Sequence, residues 1–382
     1  MKQQLRISSN FDSGAIELVG IDGDRIEVEI REDRVADPDV HFRQWFHFRI
    51  QGCAGRALTI RFRNAGHCTY PGGWDGYRVC ASVDTEHWYR IETSYEAPVM
   101  TARCTPGADS IYLAYFEPYS WQRHLALIGR ASRDPRVRTE DLAVTPDGLD
   151  LNAITVGNPD GKPVWIIARQ HPGESMAEWY VEGLVEKLLD PCDSLSRTLL
   201  DKARFHIVPN MNPDGSVRGN LRSNAHGANL NREWADPSRT RSPEVFAVRE
   251  RMLETGCALF LDIHGDEALP YVFVAGSEGL PSFTADHQRL QDLFCDRFAL
   301  AAPDFQVERG YPVGKHSTEA LKLASKWAGN QFDCLSLTLE MPFKDNANLP
   351  DLSMGWNGAR SKVLGAASRV AMLAALDPGR AT

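Results

Sequence analysis

Two regimes of hydrophobic patterning divide the chain. Up to about residue 125, apolar and polar positions alternate with a period of two, as in Ile26-Glu27-Val28-Glu29-Ile30. Trp45 to Ile50, Ala57 to Phe62 and Ile111 to Phe116 read the same way. Alternation of this kind is the mark of a strand with one face in a core and the other toward water. Turn residues such as Pro71-Gly72-Gly73 separate the segments, and no long helix is expected among them. The pattern predicts a β-sandwich over residues 1–125. Trp45, Trp74, Trp88 and Trp121 fit core or interface positions better than a sugar-binding stripe. The simplest role for such a domain is to cover one flank of its neighbour.

From residue 126 to 382 the pattern changes. Beyond Pro135 and the turn Pro146-Asp147-Gly148, short apolar runs alternate with helical periodicity. The runs Val164 to Ala168, Phe205 to Pro209, Ala258 to Ile263 and Leu335 to Leu339 predict strands buried on both faces. Helical spacing covers Ser175 to Leu189, Ser242 to Thr255, Ser282 to Ala299 and about Trp356 to Leu376. Ser242-Pro243-Glu244 supplies a cap and a first-turn proline. This alternation predicts an α/β domain. Residues 377–382 read as a loose tail.

Chemistry gathers where these strands end. His171 and Glu174, in the segment His171-Pro172-Gly173-Glu174-Ser175, lie between a buried strand and a helix, where both can grip one metal ion. Catalytic zinc takes three protein ligands, His₂Glu being a standard set, and keeps a position for water. His264 closes the run Ala258 to Ile263 and is the candidate third ligand, since ligands in α/β sheets gather at carboxyl ends of strands. Glu340 closes the run Leu335 to Leu339. A carboxylate there is costly to bury alone, and it suits a base that takes a proton from a zinc-bound water. Between these pieces Asn210-Met211-Asn212-Pro213-Asp214-Gly215 reads as a tight turn. Arg218, Arg222, Asn231 and Arg232 follow it. Asn231 and Arg232 can clamp a carboxylate, the planar guanidinium through two parallel bonds.

The order of these residues resembles the M14 zinc metallocarboxypeptidases. The segment Leu230-Asn231-Arg232-Glu233-Trp234 is similar to the cytosolic carboxypeptidase subfamily, and Leu337 to Asp345 (LTLEMPFKD) to its bacterial members. Phe11-Asp12-Ser13-Gly14, Gln44-Trp45-Phe46-His47-Phe48 and Tyr112 to Tyr119 resemble that subfamily's extra β domain. The resemblance covers nearly the whole chain. It implies a mixed carboxypeptidase-like sheet flanked by helices, and one Zn2+ per chain on His171, Glu174 and His264. It further implies Glu340 as general base and then acid, and Arg222 as the group that polarises the scissile carbonyl and stabilises the oxyanion. Asn231 and Arg232, together with Arg222, would bind the substrate's terminal carboxylate. The substrate would be a peptide or protein C-terminus, with glutamate or an acidic tail removed, as by a deglutamylase. An acidic side chain requires a cation in the specificity pocket. Lys315, Lys322 and Lys326 are available, and Lys326 is the chosen candidate. Tyr311 falls in the region of the family's mobile tyrosine, at a spacing that does not match cleanly, and its role is left open.

Composition sharpens this in a few places. The 382 residues suffice for two cores, and the net charge of −9 argues against nucleic-acid binding. No apolar run approaches the ~20 residues that span a membrane, and the first residues lack an apolar leader core. The eight cysteines, including Cys53, Cys68, Cys80 and Cys104, are dispersed without a Cys-x-x-Cys pair. That pattern fits reduced thiols in a cytoplasm, and a disulfide among the N-terminal four is the less favoured reading. A homo-oligomer is compatible with all of this. Two further readings stand beside the carboxypeptidase. One is an amidohydrolase like aspartoacylase or succinylglutamate desuccinylase, and the other is a non-catalytic binder of acidic tails.

Overall fold

The computed structural model describes residues 4–312 and 318–380. Its N-terminal part is all-β and built from two five-stranded sheets. One runs in the order Arg6–Ser8, His47–Gln51, Ser110–Ala114, Cys80–Ser82, Tyr89–Arg90. The other runs Glu17–Asp22, Arg25–Glu29, Leu58–Phe62, Val99–Cys104, Glu92–Glu96. The alternation does here what a period of two requires: Ile26, Val28, Ile60 and Phe62 from one sheet meet Phe48 and Ile50 from the other in a buried core. Trp45, Trp74 and Trp88 are buried. The indole N–H groups of Trp45 and Trp74 donate to the carbonyls of Ser13 and Ala65, each at 2.8 Å. These tryptophans are core residues, as read. All eight cysteines are free thiols.

One short helix crosses the expected boundary near residue 125. It spans Trp121–Ala131 and is started by Ser120, whose hydroxyl accepts from Arg123 N at 3.1 Å. The aromatic run before it hides the change of period.

The second part is a seven-stranded mixed sheet in the order Val137–Val144, Asp150–Gly157, Ala203–Val208, Lys162–Ala168, Leu259–Asp266, Leu335–Pro342, Phe273–Ala275. The middle four are parallel, and antiparallel strands close both sides. Strand residues alternate between two cores. Val164 and Ile166 point to the side covered by the helices Met176–Leu188, Ala285–Ala301 and Gly358–Leu376. Trp165 and Ile167 point to the side covered by Pro243–Thr255 and Ala324–Phe332. Burial on both faces is why these strands read as continuous apolar runs. The helices Met176–Leu188 and Gly358–Leu376 touch backbone to backbone. A Cβ on Gly183 would lie 2.1 Å from Lys362 O, and one on Gly365 2.0 Å from Tyr180 O.

Several elements escaped the sequence reading, among them Asp150–Gly157, Phe273–Ala275 and Ala324–Phe332, and for three others the reason is local. Val137–Val144 at the sheet edge has no clean alternation of burial. Ser194–Lys202 is short and depends on its Asp193 cap, which accepts from Ser196 N at 2.7 Å. The Asn-Pro-Asp-Gly segment opens the helix Pro213–Arg218 instead of making a tight turn. Asn212 caps it by accepting from Gly215 N at 3.1 Å, and Gly219 ends it in the left-handed region at φ 69°.

The two parts share one continuous core, which runs from Phe46 and Tyr115 to Phe343 and Leu364. Phe343, three residues beyond Glu340, stacks on Tyr115 at 4.5 Å between centroids. Burial of such a ring contributes about 1.5–3 kcal/mol. Arg90 donates to Phe343 O at 2.7 Å and Trp356 O at 3.0 Å. Glu117 accepts from Ser175 Oγ on its carbonyl and from Gly358 N on its carboxylate, both at 2.8 Å. It thereby ties down the starts of two helices, where a negative charge also suits the helix dipole. No helix among the described residues is long and apolar enough to cross a membrane.

Candidate active site

His171 owes its position to a constrained backbone. Arg169, at the end of its strand, sits at φ 58°, an uncommon conformation for a residue other than glycine. It is held there because its buried guanidinium donates to Pro172 O at 2.9 Å, Tyr119 O at 2.9 Å and Glu178 Oε2 at 2.7 Å. The chain then turns so that Glu174 returns to His171. Gly173 packs against the next loop, with its N–H on Leu221 O at 2.9 Å.

Glu174 bridges two imidazoles. Its Oε1 lies 2.6 Å from His171 Nδ1, its Oε2 2.7 Å from His264 Nδ1, and Oε2 also accepts from Gly265 N at 3.1 Å. All three side chains are buried, and their ligand atoms lie within 4.8 Å of one another. The remaining ring nitrogens have partners of their own. His171 Nε2 is 3.0 Å from Asn229 Oδ1, and His264 Nε2 is 2.9 Å from Asp262 Oδ2. With a metal bound, the acceptors at Nε2 would take its proton and leave the Nδ1 lone pair for the ion, the usual arrangement around a ligated histidine. Asp262 is fixed by Gln170 Nε2 at 2.8 Å, and Gln170 by Trp234 Nε1 at 2.7 Å. The donor set and its supports fit zinc.

Electrostatics follow from burial and charge pairing. Burial, helped by the nearby Arg222, takes His171 down to about 3. Burial opposes ionisation of Glu174 as well, but the two imidazoles outweigh it and hold its carboxyl low. At His264 burial also opposes the charge, and the Asp262 and Glu174 carboxylates overcome it and raise the imidazole. Glu340 is raised well above the usual carboxylate range by burial, with Glu174, Asp266 and Glu267 adding and His264 opposing. Glu267 is pushed up to about 8, again mainly by burial.

His171, Glu174 and His264 open into a cavity of about 510 Å³ that Arg222, Asn231, Arg232, Tyr311, Lys326 and Glu340 also line. Glu340 stands directly beside His264 in the parallel register. Its Oε1 is 3.2 Å from the Tyr311 hydroxyl, and its Oε2 has no hydrogen bond among the described residues. Tyr311 donates to Asp266 Oδ2 at 2.6 Å. Arg222 lies 3.9 Å from Glu174 Oε1 with its guanidinium over the Tyr70 ring. Asn231 accepts from Ala324 N at 2.9 Å, which turns its amide N–H₂ toward His264. Arg232 is held by Asn231 O at 2.7 Å.

Of the three lysines, Lys326 lines the cavity, and its ammonium donates to the carbonyls of Gly276 and Glu278. Burial lowers its pKa. Lys322 instead pairs with Glu319 at 2.6 Å and is not part of the cavity wall. Lys315 lies outside the described residues.

Sequence reading missed Asp262, Asn229, Tyr70 and Glu267. A signal for Asp262 was present: a lone carboxylate in an apolar run, two residues before His264, falls on the same strand face. Tyr70 belongs to the β part and carries no local sign of its role.

Residues 7–116 match the cytosolic carboxypeptidase N-terminal domain, and residues 126–354 match the zinc carboxypeptidase family. The chain belongs to the zinc carboxypeptidase family. It is an M14-type peptidase, and the N-acyl-amino-acid reading gives way to peptide hydrolysis. The crystal structure of a metallo-carboxypeptidase from Burkholderia cenocepacia superimposes with a TM-score of 0.95 at 53% identity, covering 98% of this chain and 100% of that one. A metallo-carboxypeptidase from Pseudomonas aeruginosa, solved in complex with (2-guanidinoethylmercapto)succinic acid, gives 0.93 at 41% identity over 99% and 100%. An uncharacterised protein of Zymomonas mobilis is 46% identical over 94% of both chains. Human cytosolic carboxypeptidase 4 is 27% identical over 71% of this chain and 29% of its own greater length. Zinc carboxypeptidases take peptide substrates, and family membership with the His171, Glu174, His264 cluster implies zinc here.

Proposed function

We propose that this zinc carboxypeptidase removes the C-terminal residue of peptides or proteins, with glutamate or acidic tails preferred. The observation that carries the proposal is a distribution of cations. Among the described residues, one cavity holds the metal-ligand cluster, the Arg222, Asn231 and Arg232 group, and one further cation, Lys326. Two anionic groups of one substrate residue thus each have a partner, the α-carboxylate at Asn231 and Arg232 and the side chain at Lys326. An ammonium has three donors. Two of them are taken by Gly276 O and Glu278 O, which leaves one to give to a substrate carboxylate.

His171, Glu174 and His264 would hold the zinc. Bound there, it supplies a Lewis acid that polarises the scissile carbonyl and lowers the pKa of water. Glu340 accepts the proton of the attacking water and passes it to the leaving amine. Its Oε2, which has no hydrogen-bond partner among the described residues, is open for that exchange. Arg222 donates to the oxygen on which negative charge develops. Asn231 and Arg232 restrict cleavage to a chain end, because only an end presents an α-carboxylate. The match to a cytosolic carboxypeptidase domain supports a cytoplasmic enzyme.

The compound bound by the Pseudomonas aeruginosa relative is a succinic acid that also carries a guanidino group. A basic C-terminal residue is therefore the second reading, and Glu278 in the cavity wall is its counterpart. A panel of peptides differing only in the last residue separates the two. Glutamate and aspartate ends are expected to be cleaved fastest, and faster turnover of arginine or lysine ends would reverse the assignment.

A further inference from the structure

The β part reaches into the active site at one residue. Arg222 is held from two sides, and both holds come from the N-terminal sandwich. On the backbone side the Asp33 carboxylate takes four hydrogen bonds from three consecutive residues: Leu221 N at 2.6 Å, Arg222 N at 3.0 Å, Ser223 N at 2.9 Å and Ser223 Oγ at 2.6 Å. On the side-chain side the guanidinium lies 5.3 Å from the centroid of Tyr70. Tyr70 is itself fixed by Gln44, a buried amide that accepts from Tyr70 N and donates to Tyr70 O, each at 3.0 Å.

The rest of this contact fixes the same loop. Arg31 donates to the carbonyls of Arg218 and Gly219, Arg34 N donates to Asn220 Oδ1 at 2.8 Å, and Ser13 N donates to Val217 O at 2.9 Å. The segment from Val217 to Ser223, the end of the helix Pro213–Arg218 and the loop after it, thus has partners between residues 13 and 34 along its whole length. Asp33 is buried and, among the described residues, no cationic side chain hydrogen-bonds to its carboxylate. A carboxylate costs several kcal/mol to bury, and here the bonds that compensate it come from backbone N–H groups and one hydroxyl, with the Arg31 charge nearby. A position that needed only to fill space would be served better by an apolar residue. The carboxylate does something an apolar residue cannot: it draws three successive N–H groups to one point, which fixes the direction in which the Arg222 side chain leaves the chain.

We infer that Asp33 and Tyr70 are positioning residues for Arg222, so that the β domain completes the catalytic site instead of only covering a flank. The inference rests on the role proposed above for Arg222. A donor displaced by about 1 Å can cost about 10²-fold in rate, so loss of Asp33 acts on turnover more than on substrate binding.

The test is a double-mutant cycle on the full-length, zinc-loaded enzyme, with the fastest-cleaved peptide of the panel as substrate. Zinc content and thermal midpoint are measured for every variant. Arg222→Met alone is expected to lower kcat strongly. Asp33→Asn alone sets an N–H₂ group against N–H donors, and it is expected to lower kcat about 10–100-fold with KM within about two-fold. Placed on Arg222→Met, the same Asp33 change is expected to add little further loss of kcat, because its effect passes through Arg222. Tyr70→Leu is expected to behave in the same way. Ser223→Ala removes one of the four bonds, keeps the carboxylate, and is expected to give a smaller loss with the same non-additivity, so the cycle can be run if Asp33→Asn does not fold. Equal loss of kcat in both backgrounds, or unchanged kcat in a folded, zinc-loaded Asp33 variant, overturns the inference and leaves the role of Arg222 intact. Near-normal kcat in Arg222→Met overturns both.

Discussion

His264 and Glu340 are direct neighbours across two parallel strands. The imidazole that completes the metal-ligand cluster and the carboxylate proposed as base therefore have their relative positions set by backbone hydrogen bonds. Neither depends on a loop. Sites on strands hold geometry more closely than sites on loops, and this pair shows how the sheet itself carries the chemistry.

Glu340→Gln keeps the shape of the side chain and removes its ability to take a proton. The variant is expected to bind zinc and peptide normally and to lose at least ~10²-fold in kcat. Steady-state kinetics alongside zinc analysis check this, and near-normal turnover rules Glu340 out as the base.

Asp262 does not line the cavity, yet its carboxylate holds His264 Nε2 at 2.9 Å. Removing such a partner typically weakens metal binding by about 10–100-fold. Asp262→Ala is therefore expected to release zinc at lower chelator concentration than wild type. An unchanged chelator titration would mean that His264 is oriented by something else.

Lys326→Met is expected to lower kcat/KM on glutamate-ended peptides by about 10–100-fold, the worth of a charged hydrogen bond. The same change should leave peptides with apolar ends within a few-fold of wild type. A uniform loss across the panel would indicate damage to the cavity floor, where Lys326 also ties Gly276 and Glu278 together.

Glu182 gives a pH signature away from the site. Its carboxylate faces Arg123 at 2.7 Å, Arg130 at 3.1 Å and Lys362 at 3.2 Å. Burial raises its pKa, and the Arg123 hydrogen bonds, Tyr119 and the surrounding cations outweigh it, bringing the value to about 2 from an ordinary 4.5. A depressed carboxylate stabilises the fold above its unfolded pKa and loses that contribution as pH falls through the folded one. Wild type is expected to lose thermal stability between pH 4.5 and about 2, and Glu182→Gln to lose less over the same interval. Parallel melting curves for the two proteins would contradict this.

What the sequence revealed, and what it hid, follows from the range of each interaction. His171, Glu174, His264 and Glu340 stand at strand ends inside or beside long apolar runs, so local pattern exposes them. The helices Pro243–Thr255 and Gly358–Leu376 announce themselves in the same way. Asp33 and Tyr70 do not. They lie more than 100 residues from Arg222 in the chain, and their meaning arises only when the sandwich docks. Pro213–Arg218 was read as a turn because Asn, Pro, Asp and Gly serve turns and helix starts alike. The choice is made by Thr145 and Asp147, which bind Asp214 at 2.5 and 2.9 Å and hold the segment from a distant hairpin.

The central claim is that zinc held by His171, Glu174 and His264 drives removal of a residue from a free carboxyl end. The most direct measurement follows release of the last amino acid from one glutamate-ended peptide, offered as the free acid and as the C-terminal amide, with and without chelator. Release of a single residue is expected from the free acid and little from the amide, with activity lost on adding chelator and restored on adding zinc. Comparable cleavage of the amide, or activity that survives complete removal of zinc, would contradict it.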